Sequence, residues 1–180
     1  TLDRALQLSC NTAFANVGAS LGSAKLKAQA EKFGFNATPM TDVTAAKSQF
    51  PTKLDAAQTM LSAIGQYDVA ASPLQMAMVV SAICNDGVMK TPYLVSEVRS
   101  ADLRVLYRHG PDEKQALSAG SAQALQQMMV NVVQQGTGTP AKVSGVTVGG
   151  KTGTAQRDLT QNPYAWFVSF AKNPDIAIAV

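Results

Sequence analysis

Residues 145–152 read GVTVGGKT, which satisfies the phosphate-loop pattern G-x-x-x-x-G-K-[ST] letter for letter. A nucleotide grip of that kind needs a buried strand ahead of the first glycine and a helix starting at the Lys-Thr pair, whose free N–H groups hold the phosphate. Here the preceding TPAKVS is polar and turn-like, VTV reads as strand inside the supposed loop, and nothing helical follows Lys151-Thr152-Gly153 before Pro163. The lysine therefore serves another chemistry. Two nucleophile patterns fail in the same way. Gly18-Ala19-Ser20-Leu21-Gly22 matches the elbow G-x-S-x-G, but that motif needs a strand running into the serine, whereas ANVGAS continues a helix. Small residues that let helices approach closely explain it better. Its only base would be the single histidine, His109, which sits beside Gly110-Pro111 and reads as a solvated loop residue. Ser169-Phe170-Ala171-Lys172 is the one S-x-x-K. Residues three apart share a face on a helix and oppose each other on a strand, and YAWFVSFAK alternates like a strand.

Two stretches with reactive side chains remain, Ser9-Cys10-Asn11 near the start and Lys151-Thr152-Gly153-Thr154 near the end. The first falls in a break between two helical patterns, where positions i and i+2 of an extended turn expose a hydroxyl and a carboxamide to the same side. A plain Ser/Asn helix cap is the competing explanation. The second lies on a strand. On a regular strand Thr152 and Thr154 share one face and Lys151 takes the other, so the lysine stem must curl or the strand must twist for the three to act together. Gly153, lacking a side chain, leaves the strand open to close approach by another backbone.

The elements that must position these residues follow from periodicity and punctuation. TLDRALQLS, NTAFANVGASLG and SAKLKAQAEKFGF predict three helices, the last closed by Gly34 in the C′ position. From Asn36 to Lys53 the chain is irregular, and LDAAQTMLSAIGQYDV is partly helical with its end near Gly65. ASPLQMAMVVSAICNDG predicts a helix with Ser72 as N-cap, Pro73 in the first turn, Gln75 completing a capping box, and Asn85-Asp86-Gly87 as the stop. Apolar residues on almost every face predict that this helix is buried, with Met76 and Met78 as core filler. YLVSEV and LRVLY, separated by RSAD, predict a hairpin, and SAQALQQMMVNVVQQ a helix ended by Gly136. VTVGGKTGTAQ, YAWFVSFAK and IAIAV predict three strands joined by DLTQNP and NPD. Helices first and an antiparallel sheet last make the class α+β. Trp166 and Tyr164 fall on one face of the second strand, lining a cleft or packing in the core.

Composition narrows the function further. The 180 residues are 46% hydrophobic and 15% charged, a folded chain with enough sequence for one core. A net charge of +3 gives no reason to expect nucleic acid or an anionic membrane as partner. No apolar run reaches bilayer-spanning length. Cys10, Cys84 and His109 are too scattered to suggest a disulfide framework or a zinc site, so chemistry without metal or cofactor is expected. The chain opens in helical periodicity without an initiator Met and stops within a strand pattern, so we expect a piece of a longer protein.

S-x-N at 9–11 and K-T-G at 151–153 resemble two of the three signatures of penicillin-binding transpeptidases and serine β-lactamases. Each alone is a weak signal. SCNTAF, SPLQMA, GTGTPA, GGKTGTA and AWFVSFA, in that order across nearly the whole chain, resemble the C-terminal part of a class B penicillin-binding protein. The resemblance implies a β-lactamase/transpeptidase-like fold in which an antiparallel sheet is flanked by helices, with a mainly helical subdomain. Residues 1–180 would then be the portion from S-x-N to K-T-G and the strands beyond. It implies a D,D-transpeptidase that cross-links peptidoglycan stem peptides through an acyl-serine and is acylated by β-lactams. A non-enzymatic penicillin sensor and a serine β-lactamase stay open, the latter disfavoured because Cys10 departs from the S-D-N common in class A enzymes.

By the same resemblance Ser9 relays a proton to the leaving nitrogen, and Asn11 holds the substrate amide and a lysine of the S-x-x-K motif. Lys151 keeps the Ser9 hydroxyl poised and attracts the substrate carboxylate, which Thr152 hydrogen-bonds. The Thr154 N–H would be a donor of the oxyanion hole. The nucleophilic serine and its lysine belong to an S-x-x-K segment expected upstream of residue 1, together with the first sheet strands and a terminal helix. A sheet with one apolar face uncovered is not stable alone, so the chain is expected with the rest of its domain. Other implied partners are stem peptides, β-lactams and a membrane glycosyltransferase. The implied location is the outer face of the bacterial cell membrane, through an upstream anchor.

Overall fold

The computed structural model describes residues 1–39, 42–110, 112–156 and 160–180. Three helices open the chain, α1 (Leu2–Gln7), α2 (Asn11–Leu21) and α3 (Ser23–Lys32). Gly34, at φ +90°, follows the α3 C-cap Phe33 in the C′ role that its position predicts. The next helix, α4 (Ala56–Ser62), begins with a capping box that the sequence reading missed. Asp55 accepts from the Gln58 backbone at 2.8 Å, and the Gln58 side chain accepts from the Asp55 backbone at 3.0 Å. Against α4 packs α2, through Gly18, where a Cβ would lie 2.2 Å from the Ala63 Cβ. In the G-x-S-x-G string Gly18 thus serves helix packing and Gly22 ends α2 at φ +80°, and the Ser20 hydroxyl donates to the Asn16 carbonyl of its own helix at 3.0 Å.

The buried helix is α5 (Pro73–Cys84), which places Gln75, Met78, Val80, Ala82 and Ile83 inside and leaves Met76 half-buried. Ser72 caps it, accepting from the Gln75 backbone at 3.1 Å. The reciprocal half of the expected capping box does not form. Gln75 is fully buried and donates its side-chain amide to the Phe33 carbonyl at 2.6 Å, while the Ser72 N–H donates to Ser48 Oγ at 3.0 Å. A long-range tie between α5 and the end of α3 has displaced a local one.

Two short ribbons follow. β1 (Val88–Lys90) is followed by β2 (Glu97–Arg99) and β3 (Val105–Arg108), the last two forming the expected hairpin with its first arm shorter than YLVSEV. β1 pairs instead with β4 (Glu113–Gln115), a strand too short and polar for periodicity to reveal. His109 is half-buried rather than solvated, because its ring stacks on Tyr93 with centroids 4.1 Å apart. Its neighbour Pro111 lies outside the described residues, as do Asp158 and Leu159 of the DLTQNP turn.

α6 (Ala119–Gln135) starts from the N-cap Ser118 and stops at Gly136. The final sheet is antiparallel with order β5-β6-β7, comprising β5 (Thr147–Ala155), β6 (Tyr164–Lys172) and β7 (Ile176–Ala179). β5 takes up residues 147–152 of the phosphate-loop match, directly after a tight turn at Gly145, so no helix N-terminus exists there. On β6, Ser169 is buried, and Lys172 donates to the Gln126 side chain at 2.7 Å, so the S-x-x-K pair is separated as the strand period predicts. Val80 and Ile83 of α5, Met129 of α6 and Phe170 of β6 form the core between the two helices and the sheet. Among the described residues no helix is long and apolar enough to cross a membrane.

Phe170 is paired directly with Gly149, and a Cβ on that glycine would lie 2.3 Å from the ring. Gly149→Ala is therefore expected to push Phe170 out of the core and destabilise by about 1–3 kcal/mol, the usual range for overpacking. A lowered urea midpoint with unchanged m-value is the expected reading; an unchanged midpoint would show that the ring does not rest on this glycine.

Candidate active site

The turn that carries Ser9 closes α1. The Ser9 N–H donates to the Leu6 carbonyl at 3.2 Å and the Cys10 N–H to the Ala5 carbonyl at 2.9 Å, the paired bonds of a Schellman motif with Ser9 at C′. That position normally takes glycine, since the backbone there is left-handed, and Ser9 has φ +54°. The competing helix-cap explanation fails, because Cys10 is the N-cap of α2 and no side chain caps that helix. Ser9 is exposed, with its hydroxyl free of local capping work.

α1 is in turn fixed against α6. Gln7, buried, donates to Asp3 at 2.8 Å and accepts from Arg4 at 2.9 Å, and Asn131 of α6 donates to Asp3 at 3.1 Å. Just beyond α6, the Thr137 N–H donates to the Gln7 carbonyl at 3.1 Å. Gly136 makes that approach possible, since a Cβ there would lie 2.6 Å from the same carbonyl.

The strand side of the site is the outer half of β5. Lys151 Nζ donates to Ser9 Oγ at 2.8 Å, across 142 positions of sequence. The lysine stem curls: Nζ also donates to the Thr152 carbonyl at 2.7 Å and lies 3.4 Å from Thr152 Oγ1. Burial pushes the Lys151 pKa down from its ordinary value, because a half-buried ammonium loses hydration. The Thr154 carbonyl accepts from the Gln66 side chain at 3.1 Å. In an antiparallel pair each residue either exchanges both backbone bonds with its partner or turns both away. Thr152 and Thr154, two apart and bonded to side chains, therefore present their backbone groups at the edge of β5 away from β6. Gly153 is paired with Trp166, and a Cβ on it would lie 3.1 Å from the Trp166 Cβ. Trp166 is half-buried, while Tyr164 is 55% exposed.

Ser9, at the end of α1, thus stands opposite the stretch of β5 from Lys151 to Thr154. Asn11 is exposed on the first turn of α2, and no hydrogen bond ties its side chain to Ser9 or Lys151. Beside Thr152 lies a depression of about 260 Å³, bounded also by Thr137, Gly138, Pro140, Ala141 and Phe167. Thr137 and Gln66 were missed as site residues by sequence reasoning. A threonine between two glycines directly after a helix stop was the available signal for Thr137; for Gln66 the sequence held none. No group of His, Cys, Asp and Glu suited to a metal ion occurs among the described residues.

The sequence model described as "Penicillin binding protein transpeptidase domain" matches residues 1–180. The chain belongs to this family. It is 38% identical over its whole length to the peptidoglycan D,D-transpeptidase PbpA of Mycolicibacterium smegmatis, of which it spans 38%. It is 32% identical to the stage V sporulation protein D of Bacillus subtilis, with 97% of the chain and 28% of that protein aligned. Among solved structures, penicillin-binding protein A from Mycobacterium tuberculosis in its imipenem acyl-enzyme complex superposes with a TM-score of 0.90 at 33% identity, over 100% of this chain and 42% of that one. The α+β, transpeptidase-like fold expected from the S-x-N and K-T-G blocks is therefore that of this penicillin-binding family.

Proposed function

We propose that the protein is a serine D,D-transpeptidase that cross-links peptidoglycan stem peptides and is acylated by β-lactams. Residues 1–180 are the part of its domain from S-x-N to the strands after K-T-G. The observation that carries this reading is the 2.8 Å bond from Lys151 Nζ to Ser9 Oγ. Because the ammonium donates to that oxygen, the Ser9 proton points away from the lysine and is free to be given to a leaving nitrogen. Lys151 then restores it, and its lowered pKa favours that transfer. The acylated serine lies in a part of the protein outside these residues, since the one S-x-x-K here is split across β6. Ile176, Ile178 and Val180, exposed by 45%, 48% and 67%, support a further layer of the domain against the last strand.

In the first step the serine oxygen bonds to the carbonyl carbon of a D-Ala-D-Ala bond, the carbon–nitrogen bond breaks, and the nitrogen leaves with the proton relayed through Ser9. In the second step an amine nitrogen of a neighbouring stem peptide bonds to the acyl carbon, the carbon–oxygen bond to the serine breaks, and the proton lost by the amine returns to the serine oxygen. Asn11 orients the donor amide. Gly153 lets the donor backbone lie along the edge of β5, where the Thr154 N–H donates to the oxyanion. Thr152 and the Lys151 ammonium, which exchanges its long bond to Thr152 Oγ1 for the anion, bind the donor carboxylate. A location on the outer face of the cell membrane, through an anchor elsewhere in the protein, goes with this substrate. So does pairing with a membrane glycosyltransferase.

Labelled penicillin added to the full-length protein tests the reading. A long-lived adduct on a serine outside residues 1–180 is expected. Absence of label on folded protein would overturn the assignment, and rapid release as hydrolysed penicillin would make it a β-lactamase.

A further inference from the structure

Thr137 hydrogen-bonds both walls of the cleft from a third element, the loop after α6. Its N–H holds the Gln7 carbonyl at 3.1 Å, two residues before Ser9, and its Oγ1 lies 2.8 Å from Thr152 Oγ1. Glycines on either side fix it there. A Cβ at Gly136 would meet the Gln7 carbonyl oxygen at 2.6 Å and the Val132 carbonyl oxygen at 2.9 Å. A Cβ at Gly138 would crowd the Val132 side chain and carbonyl at 3.2 and 3.3 Å. The loop is pressed onto α6 so closely that the Thr137 side chain is the one that reaches from it to Thr152.

We propose that Thr137 is a positioning residue for the donor carboxylate, acting by aiming the Thr152 hydroxyl; this rests on the transpeptidase reading above. Between two hydroxyls only one donates, and Thr152 has a single proton. The Lys151 ammonium, 3.4 Å from Thr152 Oγ1, repels that proton from its own side. If Thr152 spent its proton on Thr137, it would present only lone pairs to an anion. With a carboxylate bound beside Thr152, Thr137 donates to Thr152 and Thr152 donates to the carboxylate. The two hydroxyls form a chain whose members polarise one another. Valine at 137 keeps the shape and removes the donor; serine keeps the donor. The effect is confined to substrates that carry the anion.

The test uses the full-length protein and two probes, a labelled penicillin and the methyl ester of its carboxylate. In T137V the acylation rate constant for the acid is expected to fall about 10–100-fold, the range for a hydrogen bond to a charged group. The rate for the ester changes little, so the acid-to-ester ratio collapses. T137S restores both the rate and the ratio. T137A, which leaves room in place of the methyl groups, gives the same collapse and serves if the valine variant does not fold. Equal loss on acid and ester, no loss on either, or failure of serine to rescue each overturns the proposal. A wild-type protein that takes no label overturns the transpeptidase reading, and this inference with it.

Discussion

Replacing Lys151 by alanine is expected to slow acylation of the full-length protein by labelled penicillin about 10²–10⁴-fold, the usual contribution of a positioned proton donor or acceptor. Several losses coincide. The Ser9 hydroxyl loses the N–H that turns its proton outward, the Thr152 carbonyl loses a charged donor, and the cleft loses the cation that meets the donor carboxylate. Folding is expected to survive, because the lysine is half-buried and releasing an ammonium from partial burial offsets lost hydrogen bonds. Arginine is not a substitute: a planar fork cannot reproduce the curl that brings one nitrogen to both Ser9 and its own neighbour's carbonyl. The same rates measured against pH carry a second signature. Desolvation lowers the Lys151 pKa, so its proton is lost at lower pH than from an exposed lysine. The ammonium-dependent rate therefore falls on the alkaline side, beginning below the ordinary lysine range, and that limb is absent in K151A. Wild-type acylation rates retained in K151A would detach the lysine from the chemistry.

Much of this site was legible in the sequence, for reasons that differ between its two halves. β5 could be read because the strand period is strict: it rejected the phosphate loop, split Ser169 from Lys172, and put Lys151 and Thr152 on opposite faces. The geometry that unites them, a four-carbon stem curling back onto the Thr152 carbonyl, is a rotamer choice that spacing does not encode. On the helical side, the break at 9–10 was visible as a break, but its form was not. Nothing in TLDRALQLSCN announces that a serine occupies the glycine position of a Schellman turn. Gln75 shows the same limit. Its spacing from Ser72 fits a capping box, yet the Phe33 carbonyl, 42 positions away, takes its side-chain amide because a buried donor must find a partner. The Thr137–Thr152 contact belongs to this class too: it joins residues 15 apart whose separate motifs say nothing of each other.

Ser9 carries both a strain and a function, and two substitutions separate them. Ser9→Ala and Ser9→Gly both delete the hydroxyl, so both are expected to lose penicillin acylation about 10²–10³-fold and to cost Lys151 the same acceptor. Their stabilities should differ. At φ +54° any Cβ pays a steric penalty of about 1–2 kcal/mol that glycine escapes, against about 0.5–1 kcal/mol for the larger entropy glycine loses on folding. S9G should therefore unfold at a higher urea concentration than S9A while remaining equally inactive. The comparison isolates the backbone, since every contact of the missing hydroxyl is absent from both. If S9A proved more stable than S9G, the turn would not be left-handed at residue 9. If S9A kept its acylation rate, the hydroxyl would have no part in the proton relay. The expected order, glycine more stable and neither active, means that a position suited to glycine holds a serine because its oxygen must stand opposite Lys151. The strain there belongs to the chemistry and has no role in holding the fold.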